Sequence, residues 1–177
     1  YKQIESYANL RNRYGEVIQK SIPTLQTGTI DRYPDFPSKY VEARDIDVWL
    51  PDNYSPSKKY AVLYMHDGQA LFDKNISWNG QAWDVDSVAG TLISNKKIKD
   101  CIIVAIPNKG AYRASEYYPQ KSLDYLPVDV RKELTGSMLQ GKPQADNYLR
   151  FIVEELKPFI DKHYNTRPDK GNTAVMG

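Results

Sequence analysis

Two short, nearly unbroken apolar runs, at residues 60–65 and 101–106, constrain this chain most, and a third, shorter one closes it at 173–176. Each has the length of a strand and falls far short of the roughly 20 apolar residues that span a membrane. Runs without polar alternation predict strands buried on both faces, as in a parallel sheet covered by helices. The intervening segments carry helical periodicity. Asp84 is placed as an N-cap ahead of Val85, Val88, Ala89, Leu92 and Ile93, which share one helical face. Residues 144–164 predict the strongest helix, with Tyr148, Phe151, Ile152, Leu156, Phe159 and Ile160 as its apolar stripe. Pro158 lacks an N–H and is predicted to bend that helix near its end. Buried strands alternating with amphipathic helices predict an α/β sandwich with a mainly parallel sheet.

The front of the chain differs. Residues 1–26 read as a polar, mixed-charge lead-in with a helical pattern over 4–18. Residues 29–33 alternate weakly, and residues 43–50 alternate clearly at Ile46, Val48 and Leu50, the pattern of a half-buried strand. Turn chemistry at residues 51–56 ends it, and both segments fit the antiparallel edge of a mixed sheet. After the run at 101–106, residues 108–126 read as a long loop. Residues 27–177 are therefore expected to form the N-terminal part of a single domain without internal repeats. The chain's 177 residues, 41% of them hydrophobic, suffice for one sizeable core.

Charge and cysteine usage narrow the partners. The net charge is +2 and the basic residues are scattered, apart from Lys96, Lys97 and Lys99, which read as solvating a helix end. No nucleic-acid or membrane partner is expected. Cys101 stands alone, so no internal disulfide can form, and its apolar surroundings predict a buried, inert thiol. The chain begins at Tyr1 rather than Met and is expected to be processed or trimmed. Its compartment stays open, with the balance leaning extracytoplasmic.

In open α/β sheets, ligands bind beyond the carboxyl ends of the strands. Three such ends are available: His66-Asp67-Gly68-Gln69, Pro107-Asn108-Lys109-Gly110, and Gly177. An apolar run closing on a glycine has the form of a strand entering a G-x-S-x-G nucleophile elbow. On the motif alone, Asp67-Gly68 is equally a plain strand-to-loop turn.

The stretch Tyr60-Ala61-Val62-Leu63-Tyr64-Met65-His66-Asp67-Gly68-Gln69, with Leu71-Phe72-Asp73 after it, resembles the putative-esterase branch of the α/β-hydrolases. That branch holds esterase D-like, enterochelin esterase-like and feruloyl or acetylxylan esterase-like proteins. Residues 44–51, Asn108 with Arg113 and Glu116-Tyr117-Tyr118-Pro119, and the helix at 148–164 match as well, so the resemblance covers residues 27–177. It implies an α/β-hydrolase sandwich with a mostly parallel central sheet and an antiparallel N-terminal edge, incomplete at its C-terminus. It also implies a carboxylic ester hydrolase without cofactor or metal that works through a serine acyl-enzyme on a small-molecule or carbohydrate ester. The loop after Met65 matches the family's oxyanion-hole loop, where backbone N–H groups meet the developing negative charge. Gly68 allows the tight turn, Gln69 offers one N–H donor, and the second belongs to the residue after the nucleophile. Loss of one such donor costs about 2.7–4 kcal/mol of transition-state stabilisation. His66, Asp67, Gly68, Asn108 and Arg113 are assigned to substrate binding, and Gly177 to the first glycine of the elbow.

The departures from the family pattern define what is expected to be missing. The nucleophile is placed two positions past Gly177, so these residues are expected to lack nucleophile, acid and histidine. Apolar sheet surface at the last strand is expected to be covered by a further segment. His66 and His163 both precede the elbow, against the chain order Ser, Asp or Glu, His. His66 is expected to shape the loop, and His163 to sit at a helix C-terminus. A metal site of His66, Asp67 and Asp73 matches no standard ligand spacing. Arg113 and Glu116 either pair with each other or leave Arg113 for an acidic or hydroxylated substrate. Trp78, Trp83, Tyr112, Tyr117 and Tyr118 either stack on a sugar or phenolic acid or pack the loops. The rival reading is a catalytically inactive hydrolase fold used as a binding module. The oligomeric state is left open.

Overall fold

A computed structural model of the protein describes residues 22–177. The predicted helix over 4–18 lies outside those residues. Five strands form one mixed sheet: β1 (Thr29–Phe36), β2 (Arg44–Leu50), β3 (Ala61–His66), β4 (Cys101–Ile106) and β5 (Thr173–Met176), in the order β1-β2-β4-β3-β5. β4, β3 and β5 run parallel, while β2 pairs antiparallel with both β1 and β4. The parallel set with an antiparallel N-terminal edge follows from the sequence pattern. Consecutive parallel strands need a crossover, and helix α1 (Val85–Ser94) supplies the one between β3 and β4.

Both faces of the sheet are covered over β2, β3 and β4. On one, Ile46, Val48, Tyr60, Val62, Tyr64, Ile102, Val104 and Ile106 pack against Tyr148, Phe151, Ile152, Leu156 and Ile160. On the other, Trp49, Met65, Ile103 and Ala105 pack against Leu71, Phe72 and the α1 residues Ala89 and Ile93. β2 is therefore not half-buried. Its alternation marks the face that carries Ile46, Val48 and Leu50, but Trp49 is fully buried on the opposite face. Asp47 is buried too, held by the Arg32 guanidinium at 2.7 and 2.6 Å. Alternation identifies a face without reporting whether something covers the other one.

In α1, Ala89 and Ile93 point inward, whereas Val88 and Leu92 are open to solvent, so the predicted stripe is narrower than its pattern. Asp84 precedes this helix in a left-handed conformation (φ 51°) and makes no side-chain cap. Its carboxylate accepts the Gln26 side-chain amide instead, and Asp86 accepts the N–H groups of Gln26 and Thr27. The preceding segment is thus tied down where a cap was expected. Lys96, Lys97 and Lys99 lie exposed beyond the end of α1.

The segment after β4 is more regular than a loop. It contains the short helix α2 (Arg113–Tyr117), a 3₁₀ turn at Gln120–Tyr125 and helix α3 (Val128–Ser137), which buries none of its residues. The predicted long helix consists of α4 (Ala145–Arg150), a π-helical segment (Phe151–Leu156) and α5 (Lys157–His163). The Lys157 N–H bonds the Ile152 carbonyl, five residues back, directly ahead of Pro158. The irregularity falls before the proline, which then sits unstrained in the first turn of α5. β5 is not a buried strand. It pairs with β3 alone at the sheet edge, and Val175 and Met176 are more than half exposed, at 57% and 58%.

Candidate active site

β3 ends at His66, and Asp67 turns the chain through a left-handed conformation (φ 55°) into a single 3₁₀ turn, Gly68–Ala70. The turn is held by Ala70 N–H to the Asp67 carbonyl at 2.8 Å and Leu71 N–H to the Gly68 carbonyl at 3.4 Å. Neither bond uses the Gln69 N–H. The turn lies directly over the end of β4: a Cβ on Gly68 would stand 2.7 Å from the Ile106 nitrogen and 2.8 Å from the Ala105 carbonyl carbon. Both are backbone atoms of a central strand, so only glycine fits.

Asp67 is the electrostatic centre of this corner. Arg113 grips its carboxylate in a fork, with Nε to Oδ1 at 2.8 Å and Nη2 to Oδ2 at 2.7 Å. Asn108 Nδ2 donates to Oδ1 at 2.7 Å, and the Asp67 N–H reaches the Tyr117 hydroxyl at 3.4 Å. Burial pushes the Asp67 carboxyl up, but the hydrogen bonds from Arg113 and Asn108 outweigh it and hold the group below the usual carboxylate range. The Gln69 side chain ties the same two loops, since its Oε1 accepts the Asn108 N–H at 3.1 Å.

His66 Nδ1 lies 2.8 Å from the Tyr148 hydroxyl, and its ring packs beside Tyr117 and Tyr148. Burial lowers the imidazole below its ordinary value; Asp67 opposes that shift and Arg113 adds to it. The ring is accordingly neutral at neutral pH. The end of β5 rests on it, since a Cβ on Gly177 would stand 2.6 Å from the His66 Cβ and 3.0 Å from Cδ2. At the other end of α5, His163 Nδ1 lies 2.8 Å from the Phe159 carbonyl oxygen, away from this corner.

The three strand ends therefore meet, and His66, Asp67, Gly68, Gln69, Asn108, Arg113 and Gly177 belong to one corner of the molecule. Arg113 and Glu116 do not pair with each other. Arg113 goes to Asp67, whereas Glu116 takes Arg44, with Nη2 to Oε1 at 2.5 Å and Nη1 to Oε2 at 2.9 Å. Arg44 is 1% exposed and Glu116 2%, so the buried guanidinium claims the buried carboxylate. Three residues of this corner escaped the sequence reading. Arg44 heads β2, an alternating strand that also carries Asp45 and Asp47, so its charge did not stand out. Tyr148 read as one member of a core stripe, and Tyr117 as a rim aromatic. Of the other aromatics, Trp78 and Trp83 are exposed, and the Trp83 N–H bonds the Ala70 carbonyl at 2.9 Å. Asp73 accepts the N–H groups of Thr24 and Asn75, and among the described residues no cluster of His, Cys, Asp and Glu could hold a metal ion.

Comparisons with known proteins identify the family. The family model described as "Putative esterase" matches residues 39–177. The chain belongs to that family. A Bacillus subtilis (strain 168) relative, "Uncharacterized protein YjcH", is 28% identical over 142 residues, covering 80% of this chain and 47% of that protein. An "Endo-1,4-beta-xylanase/feruloyl esterase" of Xylanibacter ruminicola is 28% identical over 140 residues, covering 74% of this chain and 15% of that protein. The chain thus spans less than half the length of these two relatives. Among solved structures, an IroE-like serine hydrolase from Shewanella oneidensis is similar with a TM-score of 0.57 and 23% identity, covering 84% of this chain and 42% of that one. A ferulic acid esterase from Anaeromyces mucronatus, in complex with ferulic acid, is similar with a TM-score of 0.53 and 18% identity, covering 98% of this chain and 55% of that one. At such identities the likeness establishes the α/β-hydrolase fold. Within the family, the His66–Gln69 corner stands at the carboxyl edge of the sheet, where this fold places its ligands.

Proposed function

We propose that these residues build the oxyanion side of a carboxylic ester hydrolase that works through a serine acyl-enzyme. The carrying observation is the Gly68 turn, packed on the β4 backbone and fixed by Asn108 and Arg113, with the Gln69 N–H outside the turn's own bonds. A backbone N–H donor that the turn's own bonds leave unused suits the oxygen that becomes negative in the tetrahedral intermediate. In this reading the nucleophile, acid and histidine base follow Gly177, in the chain order of the fold. The serine attacks the ester carbonyl, the histidine takes its proton and returns it to the departing alcohol, and water then releases the acid. Gly177, packed on His66 without room for a side chain, serves as the first glycine of the elbow. His66, neutral and bonded to Tyr148, shapes the loop and does not act as the base.

The substrate class in this proposal is an acyl group attached to carbohydrate. Support comes from the exposed Trp78 and Trp83, the latter tethered to Ala70 in the oxyanion loop and able to offer a flat apolar face to a phenolic acyl group or a sugar. The test is a panel of acetylated, feruloylated and short-chain esters offered to the full-length protein, with a serine-directed fluorophosphonate as active-site probe. Hydrolysis with fluorophosphonate inactivation supports the reading. Ester or sugar binding without turnover or labelling would favour an inactive binding module instead.

A further inference from the structure

Arg44 is fully buried, and several of its partners border the candidate site. Its guanidinium forks onto Glu116, donates through Nη1 to the Pro107 carbonyl at 3.3 Å, and reaches the Glu42 carbonyl through Nε at 3.4 Å and Nη2 at 3.3 Å. The same group lies 5.4 Å from the ring centroids of both Tyr148 and Phe151. Three of these partners, Pro107, Glu116 and Tyr148, adjoin or contact residues of the strand-end corner. Pro107 precedes Asn108, which bonds Asp67 and Gln69. Glu116 shares α2 with Arg113 and Tyr117, both of which contact Asp67. Tyr148 bonds His66.

We infer that Arg44, through Glu116, Pro107 and Tyr148, is the positioning residue that fixes the Asp67–Gln69 loop, and hence the Gln69 N–H, without touching substrate. The inference rests on the esterase reading for its catalytic consequence, but not for its structural one. A desolvated guanidinium with all its N–H groups directed at fixed acceptors is expensive to bury and rigid once satisfied. It pins three separate chain segments to one point. An apolar side chain at the head of β2 would fill the space but leave α2, the β4 exit and Tyr148 free to shift independently. Displacements of about 1 Å at a reacting centre cost on the order of 100-fold in rate.

The test uses Arg44→Lys and Glu116→Gln in the full-length protein, with two readouts. Lysine keeps the charge but cannot fork; glutamine keeps the shape but loses the charge. Amide hydrogen exchange should quicken by about tenfold or more at residues 67–71 and 108–118 while the β4 amides keep their protection. Ester hydrolysis should fall about 10- to 100-fold in kcat/KM, with a cooperative melt retained. Unchanged exchange at 67–71, faster exchange spread evenly over β3 and β4, or failure of both variants to fold would overturn the inference and make Arg44 a plain core staple. If the unmodified protein hydrolyses no ester while the exchange pattern changes as stated, the positioning contact stands and the esterase reading falls. If activity is present and both readouts are unmoved by the substitutions, the reverse holds.

Discussion

A methyl group on Gly68 would overlap the backbone of Ala105 and Ile106, atoms fixed in the middle of the sheet. Gly68→Ala should therefore cost on the order of 1–3 kcal/mol, read as a lower urea midpoint, and should displace Gln69 enough to abolish ester hydrolysis; wild-type behaviour would mean that the turn is not packed as described. His66 gives a pH signature at the same corner. Its folded-state value is lowered, chiefly by burial, so the unfolded chain binds more protons once the pH falls below the ordinary histidine value near 6.5. Stability should be constant above that pH, drop as the pH falls towards the folded-state value, and level off below it. Thermal melts of the wild type and His66→Asn across this window check the sign, since the substitution should flatten the slope. Asp67 acts lower on the scale. Its hydrogen bonds hold it below the usual carboxylate range, so its contribution is complete at neutral pH and is lost only as the pH falls through the folded-state value. Burial, with a smaller push from Asp100, raises the Cys101 thiol to about 11. It should react slowly with a thiol reagent at neutral pH and promptly after unfolding; fast reaction in the native protein would contradict the burial account.

Elements built on long, strongly patterned runs were readable in the sequence, and those whose surroundings decide their fate were not. The run at 60–65 and the run at 101–106 named their own strands, because a segment apolar on both faces has few alternatives in a domain of this size. β2 showed one face through Ile46, Val48 and Leu50, but the cover over Trp49 and Asp47 comes from residues distant in sequence. α3 carries no apolar stripe that packs on the core, so nothing periodic announced it. The strand-end corner was readable as motifs, His66–Gln69 and Asn108, but its wiring was not. Which carboxylate each arginine takes depends on burial, and that is a property of the fold. The π-helical segment makes a testable case. A π turn holds one more residue than an α turn, and Val153 within it is 62% exposed. Deleting Val153 should convert the segment to α-helix while Tyr148, Phe151 and Ile160 stay on the core face. The deletion variant should keep a cooperative melt, and collapse of the melt would show that the wide turn is itself required.

At the scale of the whole molecule, one parallel set of strands delivers three loops to one edge of the sheet, and the other features of the candidate site follow from that topology. β3 supplies His66 to Gln69, β4 supplies Asn108 and the route to Arg113, and β5 brings Gly177 onto His66. Helices on both faces leave the carboxyl edge as the place where loops can vary without disturbing the core, which is why this fold hosts its chemistry there. Membership of the esterase family and the packing of the Gly68 turn point the same way. The most direct measurement is the intact mass of the full-length protein during turnover of a p-nitrophenyl ester. The account predicts p-nitrophenol release with a transient gain of one acyl group on a serine. Release no faster than a heat-treated control, with no acyl adduct, would contradict it.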